Sequence, residues 1–140
     1  MSADRSALED AIERGEEEGG HVEFKERLSR DVHLADGRME SLAAQLRYRV
    51  LSGDGVATYV VGVTDEGRIA GIPPAAFTES MDVLSLLAEE AGAHIDEVET
   101  WAVETAGEER GVVGLATIRE GSMLETDDEH IVVGTAGHVD

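Results

Sequence analysis

The last ten residues, Ile131-Val132-Val133-Gly134-Thr135-Ala136-Gly137-His138-Val139-Asp140, run from a β-branched stretch into a glycine-rich turn. A P-loop opens in this way: a strand leads into Gly-x-x-x-x-Gly-Lys-Ser/Thr, and a helix follows. Backbone N–H groups of such a loop surround phosphate oxygens, and the following helix end adds positive potential. Gly137 takes the place of the first glycine, and His138, Val139 and Asp140 fill three of the four variable positions. The second glycine, the lysine and the hydroxyl residue lie beyond Asp140. On spacing alone, an edge strand followed by a glycine tail reads the same residues equally well.

Other side chains offer less chemistry. The histidines stand at 21, 33, 94, 130 and 138 without the spacing of a ligand pair. Asp127-Asp128-Glu129-His130 reads as a solvated acidic stretch. Glu23 and Glu26 are three apart, which places them on opposite faces of a strand and makes them a poor acid–base pair. No serine lies in a Gly-x-Ser-x-Gly setting, so hydrolysis by a serine nucleophile has no support. Asp54 and Asp65 are turn formers beside glycine, and Met39 and Met81 are packing residues. Without cysteine there are no disulfides, thiolate metal sites or cysteine nucleophiles.

Charge sets the background for any site. Eleven basic residues face 31 acidic ones, a formal net charge of −20, and Lys25 is the one lysine. Such a chain repels itself where the Debye length is about 10 Å and much less at molar salt, where that length is about 3 Å. The composition therefore points to a salt-rich cytoplasm, and it opposes a broad phosphate-binding surface, which needs many cations. Apolar residues make up 41% of the chain, enough for a packed core. No run approaches the ~18 apolar residues of a membrane span, and the first residues lack the basic head and apolar stretch of a secretory signal. A cytoplasmic protein without a membrane partner is expected.

The elements that would position these residues follow from periodicity. Leu8, Ala11 and Ile12 share a helical face, with Gly15 as a stop. Residues 16–20 read as a linker, and residues 21–25 alternate as a half-buried strand. Residues 28–37 read as a loop. Met39, Leu42, Ala43, Leu46 and Val50 define a helix ending near Gly53. Residues 57–63 form the strongest strand, Thr64–Gly67 a hairpin loop, and Arg68–Ile72 an antiparallel return. Pro73-Pro74 opens a helix whose face carries Leu84, Leu87, Ala88 and Ala91. Residues 95–103 and 112–118 alternate as two strands, with Trp101 as a core anchor. The expected class is α+β: a mostly antiparallel sheet with two main helices on one face, plus an N-terminal helix and a C-terminal strand belonging to a further domain. The expected organisation is an N-terminal helix and acidic linker at 1–18, an α+β domain at 19–119, a linker at 120–130, and a strand with a P-loop opening at 131–140.

The run Ile-Val-Val-Gly-Thr-Ala-Gly-His-Val-Asp at 131–140 resembles the opening of the first nucleotide-binding motif of translational GTPases, the elongation-factor superfamily. Residues 59–67, Tyr-Val-Val-Gly-Val-Thr-Asp-Glu-Gly, with Ile69-Ala70-Gly71-Ile72 and the helix after them, resemble the N-terminal extension in the branch called GTP-binding protein one and two, with its archaeal relatives. The two together cover residues 40–140. This resemblance implies an accessory domain ahead of a GTPase domain in a haloarchaeal factor linked to translation or RNA surveillance. The chain would then end within the P-loop. GTP and Mg²⁺ would be cofactors of the parent protein, with none expected for residues 1–140 alone, and the ribosome or RNA would be reached through the parent.

Glu23-Phe24-Lys25-Glu26, the helix at 39–51 and the glycine-rich segment 62–72 also resemble a Schlafen-type nucleic-acid-binding domain. Ser52-Gly53-Asp54-Gly55 stands where that family has an Asn-x-x-Gly-Gly turn, a departure that weighs against nuclease chemistry. This resemblance implies that Lys25, Arg47, Arg49 and Arg68 approach one face and meet RNA, in a binding module without its own catalysis. The other reading makes Arg47 and Arg49 the solvent side of an amphipathic helix.

Overall fold

The computed structural model describes residues 6–15, 21–104 and 110–121. The segment 131–140, with the strand and P-loop opening expected there, lies outside the described residues, as does most of the 120–130 linker. The described elements are α1 (Ser6–Arg14), β1 (Val22–Lys25), α2 (Arg30–His33), α3 (Arg38–Ser52), β2 (Val56–Val61), α4 (Pro74–Glu90), β3 (Ala93–Glu104) and β4 (Arg110–Glu120). They form an α+β fold around a four-stranded sheet of order β1-β2-β4-β3. β2 pairs with β4 and β4 with β3 antiparallel, whereas β1 runs parallel to β2, with Phe24 opposite Val60. A parallel pair needs a long crossover rather than a tight turn, and α2 and α3 lie within that connection.

Period-2 alternation divides the sheet residues between two layers. Ala57, Tyr59, Ala116 and Ile118 join Leu42, Leu46 and Val50 of α3 and Val83, Leu84 and Leu87 of α4 in the main core. Val60, Val113 and Leu115 point the other way and pack with Phe24, Trp101 and, from α1, Leu8 and Ala11. Trp101 is 6% exposed, as befits a core anchor.

The antiparallel return expected at Arg68–Ile72 does not develop into a strand. Val63 and Ile69 form one isolated bridge, and Ile72 turns away to bridge Val112 of β4. Gly62 is the cause. Its φ of 97° bends the chain where β2 ends, and a Cβ there would stand 2.9 Å from the Val112 carbonyl oxygen. The Gly62 carbonyl accepts from the N–H groups of both Ala70 and Gly71, which closes the loop without a ladder. The 28–37 segment contains the single turn α2, anchored on α4. The buried Ser80 hydroxyl accepts the Leu28 N–H at 3.0 Å, while Glu79 accepts the Arg30 N–H at the same distance.

Candidate functional site

Four residues of β1, Val22-Glu23-Phe24-Lys25, decide the geometry. Val22 and Phe24 enter the second core, so Glu23 and Lys25 face the α3 layer. Glu23 is only 5% exposed there. A buried carboxylate requires partners, and α3 supplies one. Arg49 places Nε and Nη2 each 2.9 Å from Glu23 Oε1, and Lys25 Nζ stands 3.4 Å from Oε2. Among the described residues, Glu23 thus serves two cations.

The four basic residues singled out in the sequence have different surroundings. Lys25 and Arg49 converge on Glu23. Arg47 extends to the end of α4, where Nη1 donates to the Ala91 carbonyl at 3.1 Å. A cation on the last carbonyls of a helix is favourable electrostatically. Arg68 is exposed on the turn after β2, and its backbone N–H donates to Thr64 Oγ1 at 3.1 Å. Between Arg47 and Arg49, Tyr48 is 52% exposed on the outer side of α3.

His33, which no sequence motif marks, lies within electrostatic reach of this basic group. Burial lowers its pKa, the nearby charges of Arg38 and Lys25 lower it further, and a backbone hydrogen bond with Ser29 opposes them. The Ser29 N–H lies 2.9 Å from Nδ1, a contact that suits the neutral ring. The Glu23 pairing also escaped the sequence reading. Alternation placed Glu23 opposite Val22 and Phe24, but it did not disclose that a second layer covers that side.

α3 begins after Gly37 and α4 after Pro73, with Pro74 in its first turn. Two prolines remove backbone donors that an anion at the α4 N-terminus would use. Lys25 is engaged by Glu23. Gly137, His138, Val139 and Asp140 lie outside the described residues. Among the described residues, no group of three or more His, Asp or Glu side chains converges to hold a metal ion, and no helix is long and apolar enough to cross a membrane.

No family model matches the chain, and no solved structure matches it. Over 80 residues it is 35% identical to GTP-binding protein 2 of Mus musculus and, to the same extent, to GTP-binding protein 2 of Homo sapiens. The match covers 57% of this chain and 13% of each relative. The likeness relates 80 residues of this chain to a small part of a protein named for binding GTP.

Proposed function

We propose that the described unit is an accessory domain of a translation-factor-like GTPase, positioned ahead of the GTPase domain in a haloarchaeal cytoplasmic protein. The 80-residue likeness to GTP-binding protein 2 carries this reading. The P-loop opening at Gly137-His138-Val139-Asp140 supports it from the sequence side. GTP with Mg²⁺ belongs to the parent's GTPase domain, where hydrolysis is a matter of positioning and charge neutralisation on the phosphates. On this reading the nucleotide is held by the parent's GTPase domain and not by residues 21–121. Their part is to present a folded surface beside the GTPase domain. Titration of the chain with Mg·GTP, followed by backbone amide shifts, tests this assignment. The expected result is no saturable shift within residues 21–121. A micromolar site on those residues would overturn the accessory role.

The segregation of charge favours a second reading, a module that binds RNA. Residues 21–53 hold six of the 11 basic residues against five carboxylates, while the rest of the chain holds five against 26. Tyr48 stands exposed in that segment, suited to stacking on an unpaired base. Arg38 and Arg47, both exposed, would meet phosphates. A mobility shift with single-stranded RNA, lost in Tyr48→Ala and weakened by Arg47→Gln, would support the module. No shift at low salt would remove it.

A further inference from the structure

β3 is an edge strand. In the sheet order β1-β2-β4-β3 it pairs with β4 on one side, and among the described residues no strand pairs with its other side. It is 12 residues long, at the upper end of strand lengths, whereas proteins commonly protect edges by keeping them short or breaking them. One such break exists, the register shift between Ile95 and Glu97, where Asp96 turns out to meet Arg119 Nε at 2.9 Å. From Glu97 to Glu104 the pairing with β4 is regular, and these eight residues contain no proline, glycine or lysine. Among the described residues no strand covers the outer side of this stretch, which is about 26 Å long.

The side chains along this stretch alternate in chemistry. Glu97 and Glu99 pair across to Thr117 and Leu115, on the α1 side of the sheet. Val98, Thr100 and Ala102 pair to Ala116, Gly114 and Val112, on the α3–α4 side. All five are exposed, Val98 by 40%. A second copy of this edge would set glutamate against glutamate, and like charges directly opposite are destabilising. An added strand with arginine or lysine at alternate positions would pair with Glu97 and Glu99. Valine or threonine between them would cover Val98, Thr100 and Ala102.

We propose that the outer edge of β3, from Glu97 to Glu104, accepts an added β-strand from a basic, alternating segment of a partner protein. Main-chain hydrogen bonds supply the adhesion in this mode, and the side-chain alternation supplies the choice of partner. The inference stands apart from the GTPase reading, since it rests on the edge and its charge alone.

The probe is a labelled heptapeptide alternating arginine with valine and threonine. It is titrated into the full chain at about 0.15 M KCl, where surface charge is only partly screened. Fluorescence anisotropy is expected to show saturable binding, and hydrogen exchange is expected to slow at amides within residues 97–104. A peptide of the same composition in scrambled order is expected to bind much less. Charge reversal by the pair Glu97→Lys and Glu99→Lys, both exposed, should weaken binding about tenfold, since like charges directly opposite across strands are destabilising. Circular dichroism checks that this variant remains folded. Equal binding of the scrambled peptide, equal binding by the reversed variant, protection elsewhere than β3, or self-association of the chain through this edge would each overturn the proposal.

Discussion

Glu23 of β1 and Arg49 of α3 are joined by a hydrogen bond from Nε and an ion-pair contact from Nη2, each standing 2.9 Å from Oε1. The pair ties the parallel edge strand to the helix that crosses above it, and Lys25 takes the remaining oxygen. Removing one partner of a buried pair leaves the other charge uncompensated, at a cost of about 3 kcal/mol or more. Glu23→Gln is expected to lower stability by about that amount in urea unfolding. Adding Arg49→Met should cost less than the sum of the single losses, because one of the two stranded cations is gone. A loss of under about 0.5 kcal/mol for Glu23→Gln would show the pair to be solvent-screened.

Ser80 on α4 is fully buried, and its hydroxyl serves the 28–30 segment. It accepts the Leu28 N–H and lies 2.8 Å from the Ala76 carbonyl oxygen. Ser80→Ala leaves the Leu28 N–H unpaired, and a buried unpaired donor costs about 1–3 kcal/mol. Thermal unfolding should register the loss, and exchange of the Leu28 amide should quicken.

Gly114 of β4 has no room for a side chain, because a Cβ there would overlap the ring of Phe77. Gly114→Ala is expected to destabilise the fold by about 1–3 kcal/mol through overpacking. Pairing it with Phe77→Leu should recover part of that loss. Full stability of Gly114→Ala would mean that the α4–β4 contact is looser than the structure shows.

His33 gives a pH dependence of definite sign. Its folded pKa lies below the ordinary 6.5, chiefly through burial, so the native state holds the ring neutral while the unfolded chain takes up a proton first. The associated stability is present above pH 6.5 and declines as pH falls through the lowered native value. Unfolding free energies for the wild type and His33→Gln, compared between pH 7.5 and 5, should show the wild type losing more. Parallel pH profiles would contradict this.

Salt should stabilise the molecule. At −20 the chain repels itself, and shortening the Debye length from about 10 Å to about 3 Å relieves that repulsion. The unfolding midpoint is expected to rise between 0.1 M and 2 M KCl. An unchanged midpoint would remove the salt-rich cytoplasm from the proposal.

Local patterns carried much of this fold. Leu42, Leu46 and Val50 announced α3, and Tyr59, Val60 and Val61 announced β2, because helix and strand periods are written into neighbouring residues. The parallel pairing of β1 was not legible, since four residues cannot say which neighbour they join or in what direction. The Arg68–Ile72 return failed as a strand because Gly62 bends the chain and Ile72 finds Val112, a partner 40 positions away. Sequence spacing does not bring Lys25 and Arg49 onto one carboxylate. That a buried carboxylate holds both depends on the depth of Glu23 beneath α3, which spacing does not report.

The relation to the GTPase is tested most directly by exchange. The 80-residue stretch of human GTP-binding protein 2 that matches this chain is deleted, or is replaced by the matching residues of this chain, and GDP release and GTP turnover are measured. Deletion is expected to alter nucleotide release about fivefold or more, the scale of coupling between communicating sites, and replacement is expected to restore most of it. If the exchanged protein behaved like the deleted one, or if deletion changed nothing, the accessory-domain assignment would be contradicted.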